Sequence, residues 1–109
     1  MDLQERECVP CRAGTPPLDQ DQIARLLGQL DGWQLDEQGH LTKTYRFPDF
    51  KQALALVDRI GALAEAQNHH PDLALSWGKV RVELWTHKIN GLSENDFIFA
   101  AHCDQLVTP

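Results

Sequence analysis

Twice along the chain, an apolar spacing of three or four residues gives way to a spacing of two on either side of a glycine, and that order admits few folds. In the first round Ile23, Leu26, Leu27 and Leu30 fall at i, i+3, i+4 and i+7, behind Asp19 and Gln22 in the positions of a capping box. This spacing predicts a short helix ending near Asp31-Gly32. Leu35 and the turn-like Glu37-Gln38-Gly39-His40 follow, after which Leu41, Lys43, Tyr45 and Phe47 alternate with Thr42, Thr44 and Arg46. A β-hairpin from Trp33 to Phe47 fits, centred near Gly39.

In the second round Pro48 and Asp49 open a longer helix, with Phe50, Ala53, Leu54, Val57, Ile60, Gly61 and Ala64 as one apolar stripe. Pro71 ends it, because proline lacks the helical N–H and pushes the residue before it out of the α region. Leu73 to Trp77, a turn at Gly78, and Lys79 to His87 make a second hairpin, with Val80, Val82 and Leu84 on one face and Arg81, Glu83 and Trp85 on the other. Ser93, with Asp96 three residues on, caps a last helix running through Phe97 to Leu106. The order is αββαββα. Hairpins, rather than crossovers between parallel strands, require an antiparallel sheet, so the expected fold is an α+β two-layer domain: four antiparallel strands with three helices on one face.

The chain has 109 residues, 42% of them hydrophobic. That is one domain, placed at residues 18–109, and a chain of this size buries roughly 60 to 70% of its unfolded surface without disulfide staples. Residues 1–17 carry Pro10, Gly14, Pro16 and Pro17 with almost no apolar periodicity, and are expected to form a flexible N-terminal arm. The first ten residues lack the apolar stretch of a signal peptide, and no run reaches the ~18 apolar residues of a membrane span. A soluble, cytoplasmic protein is expected. A net charge of −6 provides no basic stripe for phosphate backbones or anionic lipid, so direct nucleic-acid binding is not expected.

Three cysteines do not form the even framework of a secreted scaffold, so reduced thiols are the natural reading. Cys8-Val9-Pro10-Cys11 is followed by Arg-Ala-Gly-Thr-Pro-Pro instead of the helix a thioredoxin-like site needs, which argues against redox catalysis. It could be half of a zinc site only if ligands came from elsewhere. Cys103 reads as a small buried residue.

Of five histidines, His69 and His70 are adjacent at the end of a helix and His87 closes the strand of the next hairpin. Glu65 lies four residues before His69, which on a continuing helix would let its carboxylate orient that imidazole or raise its pKa. Three readings are open on spacing alone: a solvated helix terminus where histidine complements the dipole, a metal site from Glu65, His69 and His87, and metal-free acid–base catalysis.

The string EAQNHHPDLALSWGKVRVELWTHKINGLSENDF resembles the signature region of the pterin-4a-carbinolamine dehydratases. It carries a Glu four residues before His-His-Pro, then a hairpin, Thr-His, Gly-Leu, and a helix opening with an acid before an apolar residue. A looser likeness extends over residues 18 to 107, including Trp33 and the Tyr45-Arg46-Phe47 to Asp49-Phe50 passage. The family's fold, a four-stranded antiparallel sheet with three helices on one face, agrees with the order read from periodicity.

The resemblance implies that His69, His70 and His87 surround a pterin and act as the catalytic groups. His69 would be the main acid–base residue, His87 its partner across the cleft, and His70 chiefly a binding residue. It implies Glu65, Thr86 and Asp96 as pterin-binding or orienting groups, Thr86 mainly through its backbone. Asn68 and Leu73 stand at two further substrate-side positions where some relatives carry an acid and a tryptophan. No cofactor and no metal are implied. The activity would be loss of water from 4a-hydroxytetrahydropterin in the recycling of the pterin of an aromatic amino acid hydroxylase. Family members also form dimers and tetramers and assist a transcription factor, so a protein-binding module is the competing class, and another pterin pathway a third. Trp33 is assigned to packing; Trp77 and Trp85 offer stacking surfaces but are read as core or interface residues, and His40 and His102 are left outside the site.

Overall fold

The computed structural model describes residues 3–5, 8 and 16–107. The elements are α1 (Gln20–Leu27), β1 (Gln34–Leu35), β2 (Leu41–Arg46), α2 (Phe50–Gln67), β3 (Asp72–Ser76), β4 (Lys79–Leu84) and α3 (Glu94–Val107), with 3-10 turns at Leu3–Glu5 and His87–Ile89. The strands pair antiparallel in the order β1-β2-β4-β3, so the two hairpins meet through β2 and β4 at the centre of the sheet. This is the α+β, αββαββα arrangement expected from the sequence.

The alternation of β4 sends Val80, Val82 and Leu84 into the core, where they meet Leu41 and Tyr45 of β2 and the buried faces of α2 and α3. Arg81 and Glu83 point to the opposite face of the sheet. Helix α3 lies deepest, with every residue from Asn95 to Ala101 buried, as a helix must be when apolar residues surround it rather than forming one stripe. The 3-10 turn at Leu3–Glu5 covers part of α3, and Leu3 is itself a buried core residue.

Several boundaries differ from expectation for identifiable reasons. Helix α1 has the capping box, Gln22 N–H donating to Asp19 and Asp19 N–H to Gln22, but ends at Leu27 with Gly28 as cap. Leu30 reaches the core through a further tight turn, its N–H donating to the Leu27 carbonyl, so its spacing matched a helix that had already stopped. Strand β1 is two residues, and Phe47 lies beyond β2, its N–H donating to the Gly78 carbonyl. The buried stripe of α2 is Ala53, Leu56, Ile60 and Ala64, while Phe50 and Leu54 face outward. Trp77 sits in the β3–β4 turn and is 70% exposed, which corrects the core half of its core-or-interface reading. Within the expected arm, Leu3 and Cys8 pack against the domain; Cys11 lies outside the described residues.

Candidate active site

Helix α2 ends because Asn68 takes the left-handed conformation (φ 52°, ψ 42°), one that asparagine tolerates better than other residues with a Cβ, and the Asn68 and His69 N–H groups both turn back to the Ala64 carbonyl. That reversal separates the two adjacent histidines. His70 folds back over the last turn of α2, where its Nε2 lies 2.5 Å from Glu65 Oε2 on an exposed surface. His69 instead turns inward to α3, its Nε2 2.7 Å from Asp96 Oδ1 and its ring near Phe99. The pairing of Glu65 with His69 expected from four-residue spacing is therefore corrected: the helix stops at Gln67, and Glu65 pairs with His70.

Asp96 is fully buried. Its Oδ2 accepts from the Ser93 N–H at 2.9 Å and from the Thr86 hydroxyl at 2.9 Å, leaving Oδ1 for His69. Thr86 has one hydroxyl proton and gives it to Asp96, so the Ser93 hydroxyl donates to Thr86 Oγ1 at 2.8 Å. Half of the predicted capping box is thus present: Asp96 reaches back to the Ser93 N–H, while the Ser93 side chain serves Thr86. An acceptor so arranged takes the proton of His69 Nε2, which leaves Nδ1 as the nitrogen available to the pocket.

On the other side Thr86 follows β4, and its N–H and C=O pair with Gly91 to close a small loop. The 3-10 turn inside that loop begins at His87 and ends at Asn90, also left-handed (φ 49°). Strand alternation carries past β4: Leu84 and Thr86 point inward, and Trp85 lies between them on the other side.

These groups line one cavity of about 560 Å³, within the range of small-molecule sites. His69, His70, His87, Asn68 and Thr86 are in its wall. Asp96 stands behind the wall as the partner of His69, and Glu65 stands outside as the partner of His70. Leu73 is not in the wall; its place on β3 opposite Val82 turns it toward the core, correcting its assignment as a substrate contact. Glu65, His69 and His87 are not brought within common ligating distance; among the described residues the one such group is Asp36, His40 and Glu83, elsewhere.

Sequence reasoning missed Cys8, Gln67, Trp85, Lys88 and Asn95 in the wall. Cys8 is held there by its N–H donating to Gln67 Oε1 at 2.8 Å, with its sulfur 3.6 Å from the Asn95 carbonyl. Nothing local to the arm signals this. Trp85 did carry a signal, since period two places it opposite Leu84. His40 was also set aside, yet its ring stacks on Trp85 at 4.0 Å, and Trp85 stacks on His87 at 4.1 Å.

The sequence model of the family described as Pterin 4 alpha carbinolamine dehydratase matches residues 16–106. A protein from Rubrobacter xylanophilus, provisionally named pterin-4-alpha-carbinolamine dehydratase, is 50% identical over 105 residues, covering 96% of this chain and 98% of its own. A Rickettsia canadensis protein with the same provisional name is 51% identical over 106 residues, 96% of this chain and 97% of its own. Among solved structures, a transcriptional coactivator/pterin dehydratase from Brucella melitensis superposes with a TM-score of 0.79 at 31% identity, covering 83% of this chain and 97% of that one. A pterin dehydratase-like protein identified as a RuBisCO assembly factor in the alpha-carboxysome is similar at a TM-score of 0.61 and 25% identity, covering 72% of this chain and 92% of that one.

Proposed function

Because the chain belongs to the pterin 4 alpha carbinolamine dehydratase family, we propose that it removes water from a 4a-hydroxytetrahydropterin, with His69 as the main acid–base group and Asp96 as the residue that positions it. The enzyme is a carbon–oxygen lyase. In the reaction the C4a–O bond breaks and the departing oxygen is protonated to water, while the N5 proton is removed and the C4a=N5 bond of the quinonoid dihydropterin forms. No oxidant or reductant is consumed. Hydroxide is a poor leaving group, so the step needs a proton donor on one side of the ring and an acceptor on the other, and imidazoles titrate in the range where both tasks run near neutrality.

The observation that carries this reading is the Asp96–His69 pair: a buried carboxylate fixes one ring nitrogen and leaves the other to the cavity. His87, in the same wall, is assigned as the second proton-transfer group. His70, tied to Glu65, binds and orients the substrate with Asn68; the Thr86 N–H and C=O are taken up by Gly91, so the expected backbone contact is corrected and Thr86 serves through its hydroxyl by holding Asp96. The natural role is recycling of the pterin of an aromatic amino acid hydroxylase, carried out as a homodimer or homotetramer.

A protein-binding role is the second reading, favoured by the name of the Brucella structure and by the outward Phe50 and Leu54 on α2. The test is conversion of freshly generated 4a-hydroxytetrahydrobiopterin with wild type and with a His69→Ala, His87→Ala variant. Acceleration that the variant loses supports the lyase assignment. No acceleration by folded wild type contradicts it and favours the protein-binding role.

A further inference from the structure

The outer face of the sheet ends in a column of three flat rings. His40 stacks on Trp85 with centroids 4.0 Å apart and planes 5° from parallel, and Trp85 stacks on His87 at 4.1 Å and 16°. Two rings at such distances from one indole cannot share a face without overlapping, so the imidazoles cover opposite faces of Trp85. The indole therefore presents its edge to the cavity, and its faces are closed to a flat heterocycle.

His40, the ring of the column that lies outside the cavity wall, is largely covered and held at several points. His40 Nδ1 is 2.6 Å from Glu83 Oε2, and the His40 N–H donates to Asp36 Oδ1 at 2.9 Å. Arg81 ties the two acids together, at 2.8 Å from Glu83 and 3.6 Å from Asp36. The donors His40 and Arg81 hold the Glu83 carboxyl below its usual range. Asp36, His40 and Glu83 present ligand atoms within 4.8 Å of one another, as a divalent cation would require. The Arg81 guanidinium already supplies the positive charge there, and the Glu83 oxygen facing His40 is occupied. The cluster is built to hold a ring.

We propose that His40 and Trp85 are positioning residues that fix the imidazole of His87 at the rim of the cavity, with the Asp36–Arg81–Glu83 cluster as their anchor. His87 needs such support. It begins a single 3-10 turn inside a short loop, its side chain is exposed, and the stack on Trp85 is the ring contact that orients it. The catalytic consequence rests on the assignment of His87 as a proton-transfer group; the positioning itself does not.

The experiment compares full-length wild type, His40→Ala and His40→Gln, reading the ring-proton resonances of His87 by NMR and kcat and KM for 4a-hydroxytetrahydrobiopterin. Ring-current shielding by Trp85 marks the stacked position of His87. Removing His40 is expected to shift the His87 resonances toward those of a ring without an aromatic neighbour and to lower kcat by about 10- to 100-fold, the loss that follows from a misplaced catalytic group, with a smaller change in KM. Glutamine, with a flat amide that reaches Glu83, is expected to restore most of both. Unmoved His87 resonances in His40→Ala overturn the proposal; an unchanged kcat when they do move supports the positioning and overturns the assignment of His87 as a proton-transfer group. If wild type shows no turnover, the lyase assignment fails, and the His87 resonances alone then decide whether the stack positions the ring.

Discussion

Asp96 accepts three hydrogen bonds and has no exposure to solvent, so its removal leaves donors without an acceptor. Asp96→Ala should destabilise the fold by about 2 to 4 kcal/mol in urea unfolding, while Asp96→Asn, which still accepts at one oxygen, should cost less and still disturb His69. Asp104 is the other convergence point, taking Trp33 Nε1–H at 3.1 Å, Lys43 Nζ at 2.8 Å and the Tyr45 hydroxyl at 2.5 Å. Burial, and then Asp104, push the Tyr45 phenol well above its usual value of 10.0; burial does the same to the Cys103 thiol, usually 9.0. Both groups stay protonated when folded at a pH where the unfolded chain ionises them. The unfolded state thus binds fewer protons, and stability falls as pH rises above about 9. Denaturation midpoints between pH 7 and 11 should show this decline, with a shallower slope in Cys103→Ala. At this scale the sequence exposed Asp96 as a capping acid and the three site histidines as candidates. It hid the Asp96–His69 contact, because partners 27 positions apart meet only once α2 and α3 have packed.

The helix end at Asn68 is the element on which the site turns. A left-handed residue there stops α2 and sends His69 and His70 in different directions, which is why four-residue spacing paired Glu65 with the wrong histidine. Asn68→Gly should leave stability nearly unchanged, whereas Asn68→Val should cost about 1 to 2 kcal/mol, the penalty of a β-branched residue in that conformation, and lower turnover with it. Thermal unfolding and kcat on the two variants check both. Gly78 is constrained by space instead: an added Cβ would lie 2.7 Å from the Phe47 carbonyl oxygen. Element order and strand faces were legible because burial imposes periods of 3.6 and 2. Helix ends were less so, because α1 and the turn after it place Leu30 where a longer helix would have. The rotation of the α2 stripe was hidden for a related reason: Phe50, Leu54 and Leu56 are all apolar, and packing alone selects Leu56.

For the molecule as a whole, both rounds of the αββ pattern contribute to the cavity. The second supplies His69, His70, Thr86 and His87, the first supplies His40 behind Trp85, and the segment before α1 supplies Cys8. A buried Leu3 ties the Leu3–Glu5 turn to α3: Leu3→Ala should cost about 2 to 4 kcal/mol, read from the urea midpoint, where an unpacked side chain would cost nothing. The arm's contribution was not legible, since single anchors such as Leu3 and Cys8 carry no period. In the proposed mechanism Asp96 acts through His69 in a dehydration needing no metal. It is tested most directly by stopped-flow decay of freshly generated 4a-hydroxytetrahydrobiopterin, in the presence of a chelator, with wild type, Asp96→Asn, His69→Ala and the double variant. Chelator-insensitive acceleration by wild type is expected, with each single variant slower by about 10² or more and the double variant no slower than His69→Ala. Independent losses that multiply in the double variant, or full activity in Asp96→Asn, would contradict it.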